Sequence, residues 1–158
     1  MSSVAVVTIR RRDGVERNLP GPMDRTLVIC KPDAVERGLA GEIISRLERR
    51  TLRLAAAQLM VIGPDLAARH YEEHVGKGFY DDLVSFIGRS PSMVLVVEGP
   101  QDTWKVVRDM MGTTNPRAAA PGTIRGDFGI DIGENLIHGS DSAESAAREI
   151  SIFFPELG

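Results

Sequence analysis

The chain has 158 residues, 42% of them hydrophobic and 26% charged, with a formal net charge of −3 and a single cysteine, Cys30. This is the size and composition of one globular domain able to bury its own core. It excludes a global basic field for nucleic acid, an intrachain disulfide framework, cysteine-based zinc motifs and a membrane-spanning helix, so any anionic ligand must be held by local positive charge.

Residues 1–23 differ from the rest. Val4 to Ile9 has the character of a short strand, followed by Arg10, Arg11 and Arg12 and an Asp13-Gly14 turn signal. The apolar part precedes the basic part, the reverse of a secretory signal. Pro20-Gly21-Pro22 reads as a linker, and Met23 would be a sensible start by itself. The segment is an added strand, a tail or an artefact of start-site choice, and its order is left open; residues 24–158 form the single domain.

From Arg25 the elements follow in sequence. Thr26 to Cys30 is an unbroken apolar run, the pattern of a strand buried on both faces, and Lys31-Pro32-Asp33 ends it. Leu39, Ile43, Ile44 and Leu47 share one side of a helix running to about Arg50. Leu54 to Ile62 is a second strand, stopped by Gly63-Pro64. Pro64 or Asp65 opens a helix carrying Leu66, His70, Tyr71 and His74, which Gly76-Lys77-Gly78 breaks. Phe79 to Gly88 is a further helix, Met93 to Val97 a third strand, and Asp102 to Met111 a helix with Trp104, Val107 and Met111 inward. An irregular stretch from Gly112 to Glu134 follows, and loops this long are usually functional. The element order predicts an α+β fold of the split βαβ type, an antiparallel four-stranded sheet with helices on one face.

The last strand, Leu136-Ile137, delivers His138 to a Gly139-Ser140-Asp141 turn. Asp141 and Glu144 have the spacing of an acidic capping box. Ala143, Ala146, Ala147, Ile150 and Phe154 recur at helical spacing, with Glu149 off that face and able to point back toward the strand end. Such a histidine serves as a nucleophile or an acid/base, or else simply ends the strand with its ring satisfied by Ser140.

Lys31, Arg108 and Arg125 stand beside structure breakers, Arg125 within Gly122-Thr123-Ile124-Arg125-Gly126-Asp127. Arginine's planar fork and lysine's point charge both suit phosphate oxygens. Taken singly, each reads first as a solvated surface cation, about one in ten of which would be a ligand contact, among 19 Lys and Arg in the chain. Neither a P-loop nor a dinucleotide-binding glycine fingerprint is present. His70 and His74, at i and i+4, lack the glutamate of a His-Glu-x-x-His site and read as a solvated helix face.

The blocks from Thr26 to Val35, Arg37 to Ile44, His70-Tyr71, Thr114-Asn115-Pro116, Pro121 to Phe128 and Asn135 to Ser142 resemble, in order and spacing, the signature blocks of nucleoside diphosphate kinases. The resemblance runs from about Asp24 to Leu157 and implies a ferredoxin-like fold. It implies that His138 takes the γ-phosphoryl group of an NTP on Nδ1 and passes it to an NDP in a ping-pong exchange with broad base specificity. Glu149 would hold the other ring nitrogen, Ser140 would support that carboxylate and Tyr71 would line the pocket. Lys31, Arg108, Thr114 and Arg125 would bind phosphates bridged by Mg²⁺, while Lys31 and Asn135 would reach the sugar hydroxyls. Phe79 would stack on the base with Ile132 on its other face, although by pattern alone both read as core residues and Tyr71 as a helix-face aromatic. The resemblance further implies a cytoplasmic homo-tetramer or homo-hexamer. Gly78 stands where that family often has proline, which would loosen the lid. A non-catalytic nucleotide-binding module would be expected to lose His138 or one of the cations; a relay passing the phosphoryl group to a protein would keep them all.

Overall fold

The computed structural model describes residues 22–158, so the strand expected at Val4–Ile9 lies outside the described residues. Four strands form one antiparallel sheet: β1 (Met23–Cys30), β2 (Arg53–Met60), β3 (Ser92–Pro100) and β4 (Ile137–Gly139), in the order β2-β3-β1-β4. Between them run α1 (Pro32–Glu36), α2 (Ala40–Arg49), α3 (Pro64–His70), α4 (Tyr80–Ile87), α5 (Thr103–Met111) and α6 (Ile124–Phe128), and α7 (Ala143–Phe153) follows β4. Since β1 and β2 each pair antiparallel with β3, they run parallel with β3 between them, the split βαβ arrangement.

Successive β1 residues point to opposite faces, and Leu27, Val28, Ile29 and Cys30 are all fully buried. Leu27 and Ile29, with Val94 and Val96, pack under α3, α4 and α7. Val28 and Cys30, with Leu95 and Val97, pack under α2 and α5. Helices therefore cover both faces of the sheet, not one. The apolar run in β1 already required this, because a strand with one wet face alternates. Burial pushes the Cys30 thiol up to about 12, as expected of a small core side chain.

The long apolar patterns gave elements close to those expected, and the short ones did not. The five-residue α1 and α6 were unexpected, since neither completes two turns and periodicity is silent at that length. In α6, Thr123 caps the helix by accepting from the Gly126 N–H at 3.0 Å. The expected helix through His74 ends at His70, and Glu72–His74 forms a 3₁₀ turn. The cap of α7 is Ser142, accepting from Ser145 N–H at 3.0 Å, and not Asp141. Ser140, one residue past β4, still donates its N–H to the Leu27 carbonyl, and the helix begins one residue later than the capping-box reading placed it. Among the described residues no helix is long and apolar enough to cross a membrane.

Candidate active site

The site is built where the end of β1 lies beside the start of β4. Ile29 pairs with His138, and beyond the pairing the Lys31 N–H donates to the Leu136 carbonyl at 2.8 Å. Leu136 holds a left-handed φ of 73°, a costly conformation for a branched side chain. Its N–H donates to Asp33 Oδ2 at 3.1 Å, so the buried carboxylate at the start of α1 fixes that kink.

The kink sets Asn135 at the centre of a network. Lys31 Nζ donates to Asn135 Oδ1 at 2.8 Å, Asn135 Nδ2 donates to the Thr114 carbonyl at 3.0 Å, and Arg125 Nε donates to the Asn135 carbonyl at 3.1 Å. Arg125 is buried and also donates to the carbonyls of Gly112 at 3.1 Å and Ile137 at 2.6 Å. Three of its five N–H groups thus hold backbone. Arg108 donates to the Gly139 carbonyl at 3.1 Å, next to the histidine.

The three cations feel one another. Burial first, then the Arg125 charge, push the Lys31 ammonium down to about 8, with Asp33 opposing. Burial and then the Arg108 charge push Arg125 down to about 10. Repelling cations with one buried carboxylate among them form a place where an anion is stabilised.

His138 is half-buried, and its Nε2 lies 3.0 Å from Glu149 Oε2. Ser140 Oγ donates to the same carboxylate oxygen at 2.6 Å. Burial would raise the Glu149 carboxyl, but the hydrogen bond from the His138 ring, its charge and the Ser140 hydroxyl outweigh it and hold the group at about 2. An ionised carboxylate only accepts, so Nε2 carries the proton of a neutral His138 ring and the lone pair sits on Nδ1.

A cavity of about 200 Å³ opens beside the ring, lined among others by His70, Tyr71, His74, Arg108, His138 and Glu149. Lys31, Arg125, Thr114, Asn135, Phe79 and Ile132 do not line it; Lys31, Arg125, Asn135 and the Thr114 carbonyl are linked by the network described. A larger apolar cavity of about 390 Å³, lined by Trp104, Ala147, Ile150 and Leu157, holds none of the expected site residues.

Phe79 and Ile132 are 49% and 59% exposed, which removes the core reading of both. The Phe79 ring stands 5.4 Å from His74, a lining residue of the smaller cavity, and Lys77 Nζ lies 5.8 Å from its centroid. Tyr71 is buried, and burial with the nearby Glu149 raises its hydroxyl to about 12. His70 is no part of a solvated face: it is 5% exposed, edge-on to the His138 ring at 4.6 Å and to Phe153 at 5.5 Å. Burial, then the charge of His138, push it down to about 3, so it stays neutral. Sequence reasoning missed His70 and Asp33 as parts of the site. His70 adjoins Tyr71 and Asp33 lies two residues from Lys31, both of which it did select, and neither pattern nor charge marks a buried polar group.

The family model for nucleoside diphosphate kinase matches residues 24–157. The chain is 58% identical over 132 residues to a nucleoside diphosphate kinase of Chloroflexus aurantiacus, covering 84% of this chain and 87% of that protein. It is 54% identical over 134 residues to one from Staphylococcus aureus, covering 85% and 89%. The fold superposes with a TM-score of 0.80 on a halophilic nucleoside diphosphate kinase from Halobacterium salinarum in complex with CDP. That match has 50% identity and covers 83% of this chain and 87% of that one.

Proposed function

The chain belongs to the nucleoside diphosphate kinase family, an enzyme family of phosphotransferases, and from that premise we propose that His138 Nδ1 carries the phosphoryl group between nucleotides. The observation that carries this reading is the 3.0 Å contact between Nε2 and Glu149, which leaves Nδ1 with the lone pair beside the cavity. In the first half-reaction that lone pair attacks the γ-phosphorus of an NTP. The bond to the β–γ bridging oxygen breaks, and the NDP leaves with the electron pair. The ring, now bonded to phosphorus at Nδ1 and still protonated at Nε2, gains positive charge that Glu149 stabilises. A β-phosphate oxygen of a second NDP then attacks the same phosphorus, and the imidazole leaves neutral.

Phosphoryl transfer asks mainly for positioning and charge neutralisation. Arg108, beside the histidine, and Lys31 and Arg125, behind it, are the groups we assign to the phosphates, with Thr114 at the loop edge. Lys31 and Asn135, already 2.8 Å apart, present one donor-acceptor pair to the sugar hydroxyls. Phe79 and Ile132, exposed as a stacking platform must be, are assigned to the base. Mg²⁺ is assigned to the substrate, riding on the nucleotide phosphates. The His70, His138 and Glu149 cluster offers two imidazoles and one carboxylate, and Mg²⁺ prefers oxygen ligands.

The domain is assigned to residues 24–158. Leu59 and Val61, at and just beyond the end of the edge strand β2, are more than half exposed, which supports a homo-oligomer. The free, buried Cys30 fits a reducing cytoplasmic setting.

The test is incubation with Mg²⁺-ATP labelled on the γ-phosphate. The expected result is an acid-labile, base-stable label on the protein, absent from His138→Ala. A folded wild-type protein that takes up no label overturns the reading.

A further inference from the structure

His70 is the group this reaction leaves unused. It is 5% exposed, and both of its ring nitrogens are buried without a hydrogen-bond partner. An unsatisfied polar atom in a folded interior needs an explanation, because leaving it unpaired costs about 1–3 kcal/mol. Its ring lies edge-on to His138, and one ligating atom each from His70, His138 and Glu149 fall within 4.8 Å of one another.

Two imidazoles and one carboxylate, with an open position facing a cavity, are the donor set of a three-ligand zinc site. Ligands each about 2.0–2.2 Å from a tetrahedral ion lie roughly 3.4 Å apart, so closure needs only about an ångström of side-chain rotation. Ser140, donating to Glu149 Oε2 at 2.6 Å, supplies the outer hydrogen bond that orients a ligating carboxylate. The cavity of about 200 Å³ leaves room for a water in the fourth position.

We propose that His70, His138 and Glu149 bind a zinc-type divalent cation, and that its binding switches the phosphate-accepting histidine off. The inhibitory half rests on the assignment of His138 as nucleophile; the binding half does not. Inhibition follows whichever nitrogen of His138 the ion takes. On Nδ1 it occupies the attacking lone pair directly. On Nε2 it forms a dative bond there, the Nε2–H bond breaks, and the proton passes through solvent to Nδ1. The ring's charge is unchanged, but Nδ1 no longer has a lone pair to attack phosphorus.

The experiment titrates Zn²⁺ alone into chelator-treated full-length protein, without nucleotide, by calorimetry. The absorption of added Co²⁺ reports the coordination geometry. One ion per chain is expected, with tetrahedral Co²⁺ absorption and no displacement by millimolar Mg²⁺. His70→Gln should weaken Zn²⁺ binding at least about tenfold, and His74→Ala, on the exposed side of the cavity, should leave it unchanged. Thermal unfolding shows whether His70→Gln is folded; should it not be, Glu149→Gln reads the same loss. In the labelling reaction, saturating Zn²⁺ should block phosphate uptake by His138. Absence of stoichiometric binding, or binding that survives His70→Gln and disappears in His74→Ala, overturns the proposal. Zinc-free protein that takes no label but binds Zn²⁺ refutes the nucleophile and leaves the metal site standing. Label without zinc binding does the opposite.

Discussion

Glu149 Oε2 lies 3.0 Å from His138 Nε2 and, at the same oxygen, accepts the Ser140 hydroxyl at 2.6 Å. Ser140 is itself tied to β1, its N–H donating to the Leu27 carbonyl at 3.2 Å and its Oγ accepting from Leu27 N–H at 3.4 Å. The ring is therefore oriented by a chain of contacts that ends in the sheet.

Removing that orientation should act on the chemical step more than on binding. Glu149→Ala is expected to lower kcat by on the order of 100-fold with KM changed far less, because the carboxylate acts through the ring it contacts. Ser140→Ala, which leaves the carboxylate in place, should lose much less. Steady-state kinetics with separate kcat and KM checks this; equal losses in the two variants would assign the orientation to the hydroxyl instead.

Asp33 should prove as necessary as the residues it supports. Asp33→Ala deprives the buried Leu136 N–H of its acceptor at a position whose φ is already 73°, and should cost about 1–3 kcal/mol in denaturant unfolding. With the kink released, Asn135 and Lys31 lose their register, so KM for nucleotide should rise in the surviving fold. Unaltered stability would mean that solvent reaches Leu136 N–H.

That dependence marks the boundary of what the sequence reveals. Thr26 to Cys30, Leu39 to Leu47 and Met93 to Val97 were legible because burial leaves a mark over several residues, an unbroken apolar run in the two strands and a helical repeat in the helix. His138 and Glu149 were legible because eleven residues place one at a strand end and the other on the helix that follows. The rest depends on contacts between distant segments. Asp33 meets Leu136 across 103 positions, and no local pattern encodes such a bond. His70 looked solvated because a histidine at helical spacing carries no mark of what lies against it. Arg125 was expected to bind phosphate on the strength of the family resemblance; that it holds three carbonyls is a fact of the loop's path.

The depressed ammonium of Lys31 gives two pH effects of opposite sign. Its pKa falls from 10.5 to about 8 on folding, so between those values the unfolded chain binds more protons. Stability should therefore rise with pH across that window and be flat below it, the full span amounting to about 3 kcal/mol. Affinity for ADP should fall as pH rises through 8, because a cation assigned to the phosphates is lost. Unfolding midpoints between pH 7.5 and 10.5, and ADP binding over the same range, check both signs; Lys31→Met should flatten each curve.

Arg125 separates architecture from ligand binding. Lysine retains the charge but has one nitrogen, which cannot reach the carbonyls of Asn135, Gly112 and Ile137 at once. Arg125→Lys should therefore lose about 2–4 kcal/mol of stability as buried acceptors go unpaired. If the two remaining guanidinium N–H groups also meet phosphate, kcat/KM should drop by on the order of 10- to 1000-fold, measured well below the variant's Tm. A variant that melts early yet keeps wild-type kcat/KM at low temperature would make Arg125 a builder of the loop alone, and would leave Arg108 and Lys31 to neutralise the phosphates. The positions of the groups favour both roles: the same fork that ties Ile137 to the loop sits near enough to Lys31 and Arg108 to depress one and be depressed by the other.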